Sequence, residues 1–401
     1  MGTSLNGLLV LDLTRVLAGP FCTMQLADLG ARVIKIEPPP GGDDARAYGP
    51  FVNGESLYFA SLNRNKESLA LDLKSDPGRE VFLRLAQQAD VVVENFRPGA
   101  MARLRLEYER LRDLNPRLVY AACTGFGQTG PYRFRPAYDV IVQAMGGVMS
   151  LTGQPGGEPT RVGVSIGDIT AGLYTAVGIL AALESRHRTG AGQFLDVSMM
   201  DCQVAILENA IARLQATGET PRPIGNRHPS ITPFTSVSAR DAELVIAAGN
   251  DALWGKLCAA IGRPDLEHDP RFVTNGLRTD HQEALARLLK EAFSSRDRAE
   301  WLTVLEASGV PCGPINSVAD VVADPQVQAR EMLVDVDCAL AGPVKMPGSP
   351  IKLSETNARD DRPAPLLGQH SRSVLRDLLK LKDDEIDRLA AAGAIGLGRD
   401  G

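Results

Sequence analysis

The sequence predicts an α/β protein, with a parallel, doubly wound sheet in a large domain and a second, smaller α/β domain. Three observations carry this. Compact apolar runs alternate with helix-period segments through the first half of the chain. They recur about every 25–35 residues, the spacing of right-handed strand–helix–strand crossovers. Near Gly218 the character changes, because GETPRPIGNRHPSITPF gathers Pro, Gly and polar residues before strand and helix patterns resume.

Taken in order, Gly7–Leu13 is a strand and Pro20–Gly30 a helix with Phe21, Met24, Leu26 and Leu29 as its apolar members. Arg32–Glu37 is a strand halted by Pro38–Pro40 and Gly41–Gly42. Leu69–Leu73 is a short strand, and Asp76–Ala89 a helix with Pro77 in its first turn. Asp90–Glu94 is a strand, Tyr108–Asn115 a helix ended by Pro116, and Leu118–Cys123 a strand. Ile169–Arg186 is a helix so apolar around its circumference that it should be buried. Phe194–Met200 reads as a strand, and a helix follows from Asp201 to Gln215. Beyond the break come a strand at Glu243–Ala248 and helices at Trp254–Ile261, Gln282–Phe293 and Arg298–Ala307. Strand pieces at Met332–Asp337 and Ile351–Leu353 precede helices at Ser371–Leu379 and Asp384–Ala391. The expected limits are 1–217 for the first part of the large domain, 218–330 for the small domain, and 331–401 for a return to the large one.

Composition narrows the classes. The 401 residues are 44% hydrophobic and 23% charged, ordinary for a soluble globular chain. With a net charge of −6 and no dense Lys/Arg cluster, nucleic acid is not an expected partner. An anionic ligand would need a few local cations or helix N-termini. The six cysteines form no CxxC pair, which argues against a disulfide framework or structural zinc and for a reducing, cytoplasmic setting. The N-terminus lacks the basic region of a signal peptide, and no stretch is expected to approach the roughly 18–20 apolar residues of a membrane span.

The most informative stretch is Gly163–Thr170, GVSIGDIT, where Asp168 follows Gly167 at the start of the most apolar helix. Capping alone would explain an Asp there. The same position also suits a nucleophile, since a helix N-terminus holds a carboxylate ionised. At an unperturbed pKa of about 3.9 it would attack a thioester without a partner base. There is no G-x-S-x-G elbow and no cysteine in a nucleophile context. Four other stretches have both a functional and a plain reading. Thr124–Pro131, followed by Ala137–Tyr138–Asp139, is a glycine loop able to cradle a phosphate, or a tight turn. Leu13–Pro20, with Arg15 and Gly19, is a ligand-binding strand-to-helix switch, or a simple turn. Val92–Gly99, with Arg103 a turn beyond, offers an amide, a ring and cations for adenine and phosphates, or is a solvated loop. Gly225–Pro229 places Arg227 and His228 on a loop fit to recognise a carboxylate, or is a linker.

Together these residues resemble the class III CoA transferases, the family that includes formyl-CoA and carnitine CoA transferases. The resemblance runs over nearly the whole chain. It includes Leu11–Thr14, Ala18–Pro20, Val33–Glu37, Asn63 with Asn65–Lys66, Val93–Phe96 with Pro98–Gly99, Gly167–Asp168, Gly309–Pro314 and Pro365–Gly368. Thr124–Pro131, Gly225–Phe234 and Gly249–Asn250 resemble the succinyl-CoA:dicarboxylate branch. The resemblance implies a Rossmann-like large domain built from both chain ends, and two interlocked subunits in a homodimer. It implies Asp168 as the catalytic residue, passing through an aspartyl–acyl anhydride and an aspartyl-CoA thioester. It places Val16, Ala18, Leu71, Lys74, Asn95, Phe96, Arg103 and Tyr138 at CoA-contacting positions. The branch resemblance and the Arg227–His228 pair together suggest that these two receive the acceptor's distal carboxylate. The coenzyme A thioester is then a substrate, with no metal, ATP or redox cofactor. Leu17 stands where formyl-CoA transferase has glutamine, and Thr124 and Pro136 where it has lysines, which points away from formyl and oxalate substrates. The alternatives are a 2-methylacyl-CoA racemase, although Tyr138 stands where that pattern has histidine, and a non-catalytic CoA-binding protein.

Overall fold

Seven strands make the main sheet of the computed structural model, which describes residues 3–356 and 361–398. Across the sheet they run Ile395–Gly396, Lys66–Leu71, Arg32–Glu37, Leu9–Asp12, Val91–Glu94, Val119–Thr124 and Phe194–Ser198. All pair in parallel except the short Ile395–Gly396 strand, which runs antiparallel to Lys66–Leu71. Side chains alternate between faces as the pleat requires. Leu9, Leu11, Ile34, Ile36 and Leu71 enter one core with Phe82 and Leu375. Val10, Val33, Val91 and Val93 enter the other, with Leu26, Ile179 and Leu183 from the helices on that side. Strand order reverses between Leu9–Asp12 and Val91–Glu94. In open α/β sheets the carboxyl ends at such a reversal form a natural crevice for a ligand.

The chain divides into two compact units. The larger holds Met1–Val148, Arg161–Ile211 and Gln326–Gly401, and the smaller Met149–Thr160 and Ala212–Pro325. The break therefore falls after Ile211, ahead of the composition change at Gly218. The continuous helix expected from Asp201 to Gln215 is two helices, Met199–Ala205 and Ala210–Thr217, with Glu208 between them at φ 53°. Polar residues just beyond Gly218 drew the expected limit downstream. The smaller unit has an antiparallel sheet in the order Cys312–Pro314, Glu243–Ala247, Phe234–Ser238. Its own core gathers Trp254, Phe272, Phe293 and Trp301. Leu333–Cys338 pairs with Gly342–Pro347 in a hairpin, whereas Ile351–Leu353 forms no strand.

The long apolar helix corrects two expectations. It spans Ile166–Thr189, and an 18-residue window of it has a mean hydropathy of 1.6, so it does reach the length and composition of a membrane span. It is also not buried all round: half of that window is buried, against the Ala18–Asp28 helix and the sheet. Leu173, Tyr174 and Val177 are 45%, 45% and 63% exposed. Composition records how apolar a helix is but not how many neighbours it has. Where it crosses the Ala18–Asp28 helix, Gly172 is required, because a Cβ there would lie 2.7 Å from the Ala18 carbonyl oxygen.

Candidate active site

Beneath the crevice the strand ends carry buried charges. Asp12, Lys35, Glu37 and Lys66 are each at most 2% exposed. Lys66 Nζ lies 3.0 Å from Asp12 Oδ2, Lys35 Nζ lies 2.8 Å from Asp43 Oδ2, and Arg46 Nε lies 2.7 Å from Glu37 Oε2. Burial works against the Asp12 carboxylate, yet Lys66, Lys35 and the Thr14 and Thr23 hydroxyls hold it down at about 2. Burial also lowers Lys66 to about 8. Pairing at this quality makes such charges tolerable, and removing one partner would leave the other stranded.

Above them opens a cleft of about 410 Å³ in the larger unit. Asp168 lines it, together with Val16, Ala18, Asn95, Phe96 and Tyr138. Six of the nine expected nucleophile and CoA-contacting residues thus line one cleft. Leu71 is not among them, since its side chain is 1% exposed within the core. Lys74 and Arg103 are exposed and lie outside the lining, Arg103 folding back over Gly99. Arg227 and His228 belong to the smaller unit. Within that unit they line a cavity of about 180 Å³ with Phe234, Ser236, Leu289 and Lys290. His228 Nδ1 accepts the Ser230 N–H at 3.1 Å, which places the ring proton on Nε2.

Asp168 is the third residue of the Ile166–Thr189 helix, and Ser165 occupies the cap position. Capping therefore does not explain it. Its carboxylate is half-buried and, among the described residues, meets no hydrogen-bond donor and no cation. Burial, and then the charge of Asp139, push its carboxyl up to about 7. This overturns the expectation of an unperturbed carboxylate held ionised by the helix: no backbone N–H bonds to it, and a like charge stands nearby. Asp139 itself is well held. Its Oδ1 accepts the Gly167 N–H at 2.9 Å, and its Oδ2 takes Gln143 Nε2 at 2.8 Å and Arg161 at 3.4 Å. A Cβ on Gly167 would lie 2.7 Å from Val142 Cγ2, so the glycine before Asp168 lets the Asp139–Met145 helix approach.

Two of the cleft's cations, Arg15 and Arg97, fall in stretches the sequence singles out, whereas Arg133 and Arg135 do not. Arg15, Arg97, Arg133 and Arg135 line the cleft, against the acids Asp44 and Asp168. Arg133 stacks over Phe134 at 4.5 Å and Arg135 over Tyr132 at 4.1 Å, which orders both with no acidic partner among the described residues. The Arg–Phe–Arg spacing directly before Pro136 was the available signal. Of the glycine loop, Thr124 and Gly125 line the cleft, but the Gln128 N–H donates to the Asp196 carboxylate at 3.0 Å and is not free for a phosphate. The space beside Gly19 is filled by the Thr14 side chain, so it does not admit a ligand. No histidine lines the cleft. Among the described residues no group of three or more His, Cys, Asp or Glu side chains is placed to hold a metal ion.

A half-buried carboxylate in an arginine-rimmed cleft suits an anionic ligand, and comparison with known proteins decides the family. The model of "CoA-transferase family III" matches residues 5–371. The chain belongs to that family. This transferase is 49% identical to an acetyl-CoA:oxalate CoA-transferase of Acetobacter aceti over 93% of its own length and 95% of the relative's. It is 39% identical to the human succinyl-CoA:glutarate CoA-transferase, covering 98% of this chain and 90% of that one. A crystal structure of a CAIB/BAIF family protein from Brucella suis superposes with a TM-score of 0.83 at 42% identity, covering 94% of this chain and all of that one. The protein is therefore an enzyme, a class III CoA transferase acting on CoA thioesters.

Proposed function

We propose that the transferase moves CoA from an acyl-CoA, succinyl-CoA foremost, to a small dicarboxylic acid, with Asp168 as nucleophile. The observation that carries this is the unpartnered Asp168 carboxylate facing a cleft rimmed by four arginines. In the first step Asp168 attacks the thioester carbonyl and expels CoA thiolate, leaving an aspartyl–acyl anhydride. The thiolate attacks the aspartyl carbonyl, releases the donor acid and leaves an aspartyl-CoA thioester. The acceptor carboxylate then attacks that thioester, forming a new anhydride and freeing CoA thiolate again. Attack of the thiolate on the acceptor's carbonyl gives the new acyl-CoA and restores Asp168. One thioester replaces another, so no net energy input is needed.

Arg227 is half-buried beside an apolar wall of Phe234 and Leu289, which suits a short acid whose far end is charged. Relatives named for glutarate, mesaconate and oxalate are all named for dicarboxylates. The oxalate-named relative, at 49% identity, weakens the inference drawn against oxalate from Leu17, Thr124 and Pro136. A panel of acids offered with succinyl-CoA, read by mass spectrometry of new thioesters, tests the reading. Dicarboxylates should turn over and monocarboxylates should not. Arg227→Ala should raise the dicarboxylate KM about tenfold, the scale of a lost charge-assisted hydrogen bond. Equal turnover of monocarboxylates, or an unchanged KM, would refute it.

We also propose a homodimer in which a second copy covers the apolar stripe of Leu173, Tyr174 and Val177, too exposed to be idle on a monomer. A native mass of one chain at micromolar concentration would contradict this. A cytosolic setting fits six cysteines that are all free thiols.

A further inference from the structure

The chain passes from the Leu9–Asp12 strand to the Ala18–Asp28 helix through a turn with an unusual centre. Val16 sits at φ +65°. A β-branched residue adopts the left-handed region only where its surroundings impose it. Here three side chains do so, one for each of three consecutive residues. Lys35 Nζ donates to the Thr14 carbonyl at 2.9 Å. Asn95 grips Arg15 from both sides, its Oδ1 accepting the Arg15 N–H and its Nδ2 donating to the Arg15 carbonyl, each at 2.8 Å. Asp43 Oδ1 accepts the Val16 N–H at 3.0 Å and the Ala45 N–H at 2.9 Å.

Asp43 is in turn anchored from below. Its Oδ2 pairs with Lys35 Nζ at 2.8 Å, and its own N–H donates to Glu37 at 3.1 Å. It is 2% exposed and does not line the cleft, whereas Arg15, Val16, Leu17 and Ala18 all do. Asn95 does line it, but both ends of its amide are committed to the Arg15 backbone.

We propose that Asp43, together with Asn95, is the positioning residue of this site: it holds the Arg15–Leu17 turn in the strained form that shapes the acyl-CoA wall of the cleft, and touches no substrate. The proposal rests on the reading of this cleft as the acyl-CoA site. Without Asp43, Val16 relaxes to negative φ and carries Arg15 and Leu17 away from their places. The charge on Lys35 ties the same device to the buried ion pairs below, so the turn is fixed by the sheet itself and not by the ligand.

The test is a double-mutant cycle in steady-state kinetics on the full chain. Asp43→Ala should raise the acyl-CoA KM about 10- to 100-fold, the range expected when a binding wall shifts by about an ångström, while the acceptor KM moves less than about threefold. In the V16G background the same Asp43→Ala change should cost less than about threefold, because glycine takes φ +65° without strain. Asn95→Ala, at a half-buried position, should show the same coupling to V16G and serves if Asp43→Ala does not fold. Asp43→Asn, which keeps an acceptor oxygen for the Val16 N–H but turns its NH2 towards Lys35 Nζ, should recover only part of the loss. Additive effects of the Asp43 or Asn95 and Val16 substitutions would overturn the proposal. Tyr138→Ala, an exposed position on the same cleft, separates the two ideas. If it too leaves the acyl-CoA KM unchanged, the cleft is not the acyl-CoA site; if it alone raises that KM, only the positioning role falls.

Discussion

Asp168→Asn should abolish CoA transfer and make the protein more stable at pH 8. An amide cannot form the anhydride, so activity should fall at least about 10⁴-fold, the scale of losing a covalent nucleophile. The gain in stability follows from the environment that makes Asp168 useful. Its carboxyl titrates near 7 in the folded protein, because of burial and then Asp139. In the unfolded chain an Asp titrates near about 3.9. The folded state therefore holds the proton more tightly, and stability falls as pH rises from the lower value to the higher. Above both, the wild type carries the full cost of a desolvated carboxylate. Asparagine carries none, and should gain roughly 2 kcal/mol at pH 8, discounted for the group's partial exposure. The gain should shrink towards zero on acidification to pH 4. Denaturant melts of both proteins at the two pH values check this, and equal stability at pH 8 would show that Asp168 is not desolvated.

The second large effect concerns Asp139. The kcat/KM for acyl-CoA should rise with pH to a plateau, with a midpoint near 7, because the attacking form is the carboxylate and this ratio reports the free enzyme. Burial also pushes Glu94 up to about 7, so the midpoint alone does not identify the group. Asp139→Asn does: it removes the like charge beside Asp168 while keeping an acceptor for the Gly167 N–H, and the midpoint should move down. Asp139→Ala also removes that acceptor at the start of the helix that carries Asp168. It should lower kcat about 10- to 100-fold, as misplaced reacting groups do. A midpoint unmoved by Asp139→Asn would assign the titration elsewhere.

The two faces of the sheet were legible because covered parallel strands write themselves as short apolar runs, and Val91–Val93 or Val33–Ile34 can scarcely be read otherwise. The Gln282–Phe293, Arg298–Ala307 and Ser371–Leu379 helices begin and end where their periodicity does. Where sequence reading failed, a tertiary neighbour decided the outcome. Nothing local says that Leu173 and Val177 are left exposed by the described residues, or that Glu208 breaks a helical pattern. The site divides in the same way. Asp168, Asn95, Phe96 and Tyr138 are recognisable as motifs. The raised titration of Asp168 depends on burial that only the fold creates, and then on Asp139, 29 residues earlier. Asp43 carried no motif of its own, and its importance appears only when its carboxylate is seen against the Val16 N–H and Lys35.

The most direct measurement is chemical trapping of the nucleophile. The enzyme would be incubated with succinyl-CoA and no acceptor, treated with hydroxylamine, digested, and its peptides mapped by mass spectrometry. Hydroxylamine displaces CoA thiolate or the donor carboxylate from an activated aspartyl carbonyl and leaves a hydroxamate on that side chain. A hydroxamate on Asp168, absent from Asp168→Asn and absent without succinyl-CoA, is the expected result. A hydroxamate on another carboxylate in an active preparation, or none while transfer proceeds, would remove Asp168 from the reaction.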